Sequence, residues 1–482
     1  MQKDSTGEEN ILKFEINNIG AIKNATIDIQ GITIIAGENN VGKSTIGKAL
    51  YAFIHNMEQW DKIYDNICSS RIEKLLYNNS ILLDDWCIDN TIAKRRRTNR
   101  TSQLIEEYAN DAEFRGKIED YLLAEGLDNQ KETENSLKKM LEKYFCDYLY
   151  LYAKEDTRKI FDREKEWVDS WLSGIVSAIK RLELDEIEIQ KTYIESSLNE
   201  VFDFQYRKIG TSESEINYYM TVNEDTLRKV SFHVSDNGIM MKIPLKVTNR
   251  VFFIESPKIY DYLSDTSFGY VQKEYLRYLM SPNIFKKKRI TSPEMLKKES
   301  DEIISYDEIS GLLNRLENVM GGRAEYLQKR GLEFKNDYLK EPIRAVNVST
   351  GLKSLALLEY ALRIGAIQKG DILILDEPEI NLHPEWQVEY AKALVELQKI
   401  FDLKFIITSH SPYFMRAIEV FMDKEETMDC LNVYQVSKDE KTGEREVENV
   451  MYSEFGMTEL YEQLSAPLEK IEELLNEKYG ED

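Results

Sequence analysis

The sequence predicts an α/β fold, on three observations. Residues Gly37 to Thr45 read G-E-N-N-V-G-K-S-T, a match to the G-x-x-x-x-G-K-[ST] phosphate loop, with an apolar run before it (Ile32 to Ala36) and a helical pattern after it (Ser44 to Asn56). More than 300 residues later, Asp371 to Leu375 (D-I-L-I-L) has the nearly continuous hydrophobicity of a strand buried on both faces. Between them, Tyr218 to Val222, Val230 to Val234 and Ile239 to Ile243 alternate as strands do, with Asp236-Asn237-Gly238 as a turn signal.

The first element is strand, loop and helix in the order that phosphate binding requires. Gly37 and Gly42 let the backbone curl, so that successive N–H groups, those of Asn39 and Asn40 among them, point at phosphate oxygens. The helix beginning near Lys43 aims its positive end at the same anion. Lys43 is expected to reach the β and γ phosphates, and Ser44 to hold Mg²⁺ through its hydroxyl; Thr45 closes the loop.

The second element ends in Asp376-Glu377-Pro378. An Asp at such a strand end can bind the Mg²⁺ shell beside the phosphate loop, and Glu377 is placed to polarise an attacking water. A positioned base of this kind is worth on the order of 10²–10⁴-fold in rate. A third motif, Asn347 to Ser354 (N-V-S-T-G-L-K-S), precedes a long helical pattern (Leu355 to Ile367), and Ser349 and Gly351 at its start form a second phosphate-seeking helix end. A fourth, Phe405 to Thr408, is an apolar strand ending in Ser409-His410-Ser411-Pro412. The chain has only 4 histidines, and His383 and His410 both fall in this region. His410, at a strand end beside Glu377, is expected to touch the γ-phosphate.

In this order the four motifs resemble an ABC-type ATPase head, in the variant of SMC-like, RecF-like and OLD-family proteins rather than of membrane transporters. The stretches Glu377 to Pro384 (E-P-E-I-N-L-H-P), Thr408 to Pro412 (T-S-H-S-P) and Phe14 to Ile27 are typical of the OLD-like branch. The resemblance covers about the first 55 residues and roughly 320–420, with weaker support at 215–256. It implies a mixed sheet flanked by helices, an antiparallel β subdomain, and ATP with Mg²⁺ as ligands. It also implies that Ser349 caps the γ-phosphate held by Lys43 of a second copy, so that two ATP molecules are sandwiched in a homodimer and hydrolysis by Glu377 loosens it. The sequence departs from the transporter pattern at Thr350, where those heads carry glycine, and at Leu352-Lys353. The glutamine that such heads use to sense Mg²⁺ is absent after the strand Arg250 to Ile254, where Glu255-Ser256-Pro257 stands instead.

The excess spacing between phosphate loop and signature marks insertions. The expected division is 1–57 head with phosphate loop, 58–200 helical insertion, 201–257 head β subdomain, 258–320 second helical insertion, 321–420 second part of the head and 421–482 an acidic C-terminal segment. No heptad pattern is sustained over four turns, which favours a compact helical lobe over a long arm. Gly321 to Val348 reads as a β-hairpin.

Composition sets the frame. The 482 residues are 42% apolar and 31% charged, with net charge −23, which argues against a general nucleic-acid coat. Residues 419–482 hold 6 basic and 19 acidic residues, over half of that net charge. Two basic islands, Lys94 to Arg97 with Arg100 and Lys286 to Arg289, are either solvated surface or contacts for a phosphate backbone or acidic partner. The start of the chain lacks the apolar core of a signal peptide, no run is long enough to cross a bilayer, and Cys68, Cys87, Cys146 and Cys430 are scattered singly. A cytoplasmic protein without a membrane partner follows. After Pro412 no D-x-D cluster appears, so no nuclease of the chain's own is expected. Three functions fit: a regulatory ATPase of a prokaryotic antiviral defence or toxin–antitoxin-like module, as in Septu-type systems, with its effector on a separate chain; a RecF-like DNA repair ATPase; and a scaffold that uses ATP for assembly.

Overall fold

The computed structural model describes residues 12–89, 99–125, 127–151, 157–182, 184–223, 226–254, 306–327, 331–336, 338–344, 347–439, 441–452 and 456–479. The basic islands at 94–97 and 286–289, the Glu255–Pro257 position and the helical reading of 258–305 lie outside them. Arg100 is described and exposed. The chain divides into two compact units, one formed by Met1–Glu58 with Lys191–Asp482, the other by Gln59–Gln190.

The larger unit is built on a mixed sheet. Its parallel centre consists of β3 (Ile32–Ala36), β7 (Val251–Ile254), β11 (Ile372–Asp376), β12 (Lys404–Ser409) and β13 (Leu431–Lys438), in the order β13-β3-β12-β11-β7. Ile32–Ala36 is buried along its whole length, as are Ile372 to Leu375 and Phe405 to Ser409. Such uninterrupted apolar strands require cover on both faces. One face is covered by α1 (Lys43–Ile54), which meets β11 so closely that a Cβ on Gly47 would lie 2.7 Å from Ile374. The other is covered by α9 (Tyr306–Met320), α10 (Thr350–Arg363), α11 (Pro384–Phe401) and α12 (Pro412–Lys424), whose Leu316, Leu358, Leu394 and Ile418 share a core with Ile34, Leu373 and Phe405.

The same sheet continues in the order β6-β5-β4-β1-β2-β14, antiparallel from β6 to β2 and parallel between β2 and β14, from β1 (Leu12–Ile19), β2 (Ile22–Asp28), β4 (Glu213–Asn223), β5 (Thr226–Ser235), β6 (Gly238–Met241) and β14 (Arg445–Asn449). β1 alternates buried and half-buried residues, the period of a strand with one face on the core. The reading of 215–243 as strands agrees with β4 to β6, and the hairpin expected at 321–348 is β8 (Gly322–Leu327) and β9 (Gly331–Asn336) of a small sheet completed by β10 (Ile343–Arg344). Two segments that the sequence sets outside the head supply its core. β13, from the acidic C-terminal stretch, pairs with β3 itself, and α9, from the stretch assigned to the second insertion, contributes Leu312, Leu316 and Met320.

The smaller unit is helical, with α2 (Trp60–Asp89), α3 (Asn99–Ala109), α4 (Ala112–Leu123), α5 (Leu127–Tyr150), α6 (Thr157–Arg163) and α7 (Lys165–Ile179), and the start of α8 (Glu186–Val201). It has its own core around Leu76, Phe114, Tyr144, Phe145 and Leu172, and a buried Ser80–Tyr144 hydrogen bond of 2.9 Å. Trp167 stacks between Trp86 and Trp171, at ring separations of 4.4 and 5.3 Å. Among the described residues no helix is long and apolar enough to cross a membrane.

Candidate functional site

The site follows from strand register. In the parallel centre Ser409 pairs with Ala36 and Thr408 with Asp376, so the carboxyl ends of β3, β12 and β11 fall side by side. The phosphate loop, the Thr408–His410 segment and the Asp376–Glu377 turn leave the sheet at that edge, where open α/β sheets bind ligands.

The loop has the shape of an anion cradle. Asn40 and Gly42 take left-handed conformations, with φ of 64° and 97°. Such residues in a tight loop turn neighbouring N–H groups toward one concave point. Gly42 sits at the N-cap of α1 without a side-chain cap, and no acidic residue occupies the first turn. The helix end therefore keeps its positive pole for a ligand. Gly37, at φ 151°, lets β13 close against the loop, since a Cβ there would lie 2.6 Å from the Val436 carbonyl. Glu38, Asn39 and Asn40 are exposed at the crest, and Thr45 packs its methyl toward Gly20.

Lys43 is only 4% exposed, and its Nζ donates to the carbonyls of Gly37 and Glu38 at 2.9 and 2.8 Å. It lies 3.6 Å from Glu377 Oε1. Ser44 Oγ donates to Asp376 Oδ1 at 2.8 Å, joining residues 332 positions apart. Thr408 Oγ1 donates to the same oxygen at 2.5 Å and accepts from the Glu377 N–H at 3.0 Å. Burial pushes the Asp376 carboxyl above the usual range, opposed by the hydrogen bonds from Thr408 and Ser44. Glu377 itself has φ 47°, a strained conformation for a non-glycine residue, held by its N–H bonds to Thr408. His410 Nδ1 stands 3.5 Å from Glu377 Oε1.

The structure thus brings Lys43, Ser44, Asp376, Glu377 and His410 together. Ser349 is exposed at the N-cap of α10 with no side-chain cap and no acidic first turn, and Gly351 packs on the turn after Glu377, where a Cβ would meet the Asn381 carbonyl at 2.5 Å. His383 caps α11 by accepting from the Glu385 N–H.

Sequence reasoning missed three contributors. Thr408 stands within T-S-H-S-P, where the motif assigns it no role. Glu379 is a buried carboxylate two residues past Glu377. Arg445 donates to the Asn40 carbonyl at 3.2 Å from a strand 405 residues away. The nearest signals, the second glutamate of E-P-E and the hydroxyl at the end of an otherwise apolar strand, do not by themselves reveal these pairings.

The donors present fit the expected ligands. A hydroxyl and a carboxylate oxygen in contact suit a hard cation that takes its remaining ligands from water and phosphate, and the loop suits a polyphosphate. Among the described residues no cluster of three or more His, Cys, Asp or Glu forms a separate metal cage.

Comparison with known proteins agrees on the class. A family model described as an AAA ATPase domain matches residues 10–415. Similar solved structures include an SMC head bound to the C-winged helix domain of ScpA, at 12% identity over 93% of this chain and 100% of that one, with a TM-score of 0.44. An SMC head domain from Thermotoga maritima matches at 9% identity over 92% and 99%, with a TM-score of 0.32. An Smc head with an extended coiled coil, bound to the C-terminal domain of ScpA derived from Pyrococcus furiosus, matches at 10% identity over 91% and 96%, with a TM-score of 0.38.

Proposed function

The chain belongs to the AAA ATPase domain family, and we propose that it binds and hydrolyses Mg²⁺-ATP, dimerises around the nucleotide, and through that cycle regulates a separate effector protein. The observation that carries the reading is the Ser44–Asp376 hydrogen bond of 2.8 Å with Glu377 3.6 Å from Lys43. Strand register brings Lys43, Ser44, Asp376 and Glu377 to one sheet edge, which supports reading them as a phosphate-binding ammonium, a cation ligand pair and a carboxylate base.

The chemistry assigns a task to each residue. The nest of the phosphate loop and the free end of α1 hold the phosphates, and Lys43 exchanges its loop carbonyls for phosphate oxygens. Ser44 and Asp376 would hold Mg²⁺, which when bound neutralises charge on the triphosphate oxygens. Glu377 orients a water and accepts its proton; His410 faces the same point from β12. Ser349, exposed on an uncapped helix end, is suited to a phosphate presented by a second copy. The smaller unit supplies none of these residues and is the natural place for an effector, of nuclease or toxin type, to engage.

The test is direct. Lys43→Ala should abolish ATP binding in equilibrium dialysis. Ser349→Arg should leave binding intact and block turnover, because it obstructs the neighbour's phosphate and not its own. Normal hydrolysis by Ser349→Arg would remove the two-copy arrangement. A pull-down from the native host identifies the effector; DNA-stimulated turnover without a bound protein would turn the reading toward DNA repair.

A further inference from the structure

We propose that Glu379 is a positioning residue for hydrolysis, holding the end of β12 against the Glu377 turn so that Glu377 and His410 face the same phosphate. This rests on the ATPase reading above and adds a residue to it.

Glu379 is 2% exposed. A buried carboxyl is unfavourable unless hydrogen bonds satisfy it, and an aliphatic side chain would fill the same space without that cost. What the carboxyl adds is an acceptor that spans two segments. Glu379 Oε1 accepts from Ser409 Oγ at 2.5 Å and from the His410 N–H at 3.3 Å. Glu379 Oε2 is buried without a hydrogen-bond partner among the described residues. Burial pushes the group upward in pKa, opposed first by the Ser409 hydrogen bond.

The bonds belong to a continuous seam. Thr408 bonds Asp376 and the Glu377 N–H, Ser409 and His410 bond Glu379, and Ser411 Oγ donates to Gln387 Oε1 at 2.8 Å. Gln387 in turn donates to the Leu382 carbonyl at 3.2 Å. Four consecutive residues of the β12 end are thereby fastened to the segment 376–387. Within that segment the Ile380 N–H donates to the Glu377 carbonyl and the Leu382 N–H to that of Glu379, which makes the turn stiff. Glu379 is the only described member of the seam that fixes the backbone of His410. It touches neither phosphate loop nor cation ligands in its recorded contacts, so its removal should spare binding and misplace the reacting groups.

The experiment compares the full-length wild-type chain with Glu379→Gln, Glu379→Ala and Ser409→Ala, measuring kcat, KM and ATP affinity with Mg²⁺, and the melting temperature. Glu379→Gln retains the acceptor and should keep kcat within about 3-fold of wild type. Glu379→Ala should lower kcat by about 10-fold or more while ATP affinity stays within about 2-fold, part of the range assigned to proton-transfer groups. Ser409→Ala, a milder change, should lower kcat by about 3-fold with affinity intact, and it decides the matter if Glu379→Ala does not fold. Wild-type kcat in Glu379→Ala, or in Ser409→Ala where only that variant folds, overturns the proposal. So does a parallel loss of affinity and turnover, or a failure of Glu379→Gln to restore the rate. If the wild-type chain binds ATP with Mg²⁺ and shows no turnover at all, it is the ATPase reading that fails.

Discussion

Thr408 shows how much of the site rests on side chains with no motif signature. Its hydroxyl is bonded on both sides, donating to Asp376 and accepting from the Glu377 N–H, so it fixes the Asp376 carboxyl and the strained Glu377 backbone at once. Thr408→Val keeps the shape and removes both bonds, leaving the Asp376 oxygen and the Glu377 N–H each short of one partner. We expect turnover to fall about 10-fold with the fold retained, measured as steady-state ATP hydrolysis beside a thermal melt. Lys43, Ser44 and Asp376 stand out in the sequence because the phosphate-loop pattern and an acidic residue closing an apolar strand are local signals, and the structure brings the three together. Thr408 and Glu379 do not. A threonine in a strand and a glutamate in a turn are ordinary on propensity grounds, and their roles exist only through pairing across 30 positions or more.

At the scale of elements, the phosphate loop is enclosed by segments from both ends of the chain. Gly20 of the β1–β2 turn rests on Thr45, and β13 and β14 wall the other side through the Val436 carbonyl and Arg445. Arg445→Ala frees the Asn40 carbonyl and loosens the crest of the loop. It should weaken ATP binding by about 3-fold to 10-fold, roughly the net value of one hydrogen bond, and leave kcat at saturating ATP nearly unchanged; titration of ATP into both proteins measures it. The C-terminal hairpin was the least readable element. Leu431 to Val436 is mostly buried, yet the acid-rich composition around it reads as a solvated tail, and nothing local announces a partner strand 400 residues earlier. β3, β11 and β12 were legible because a strand buried on both faces must be apolar throughout, whatever its partners.

For the whole molecule, stability and assembly respond to different variables. His55, 1% exposed at the end of α1, lies tilted against the Tyr51 ring at 4.6 Å, and burial holds its pKa down at about 3 from an ordinary 6.5. The folded state excludes a proton that the unfolded chain accepts. The contribution is therefore complete above pH 6.5 and shrinks as pH falls from 6.5 toward 3, by about 2 kcal/mol at pH 5. His55→Gln, neutral throughout, should flatten the dependence of melting temperature on pH across that window; an unchanged slope would place the acid sensitivity elsewhere. Under the proposed function, assembly turns on the nucleotide. The sequence resemblance reached the head and its motifs, and the insertions remained legible only as helices, since a lobe with its own core needs amphipathic patterning and little else. The most direct measurement is light scattering of Glu377→Gln with Mg²⁺-ATP. A stable species of twice the 56.4 kDa chain mass, reverting to the single chain when ATP is removed, is what a nucleotide clamped between two heads predicts; a chain that binds ATP and keeps its monomer mass would contradict it.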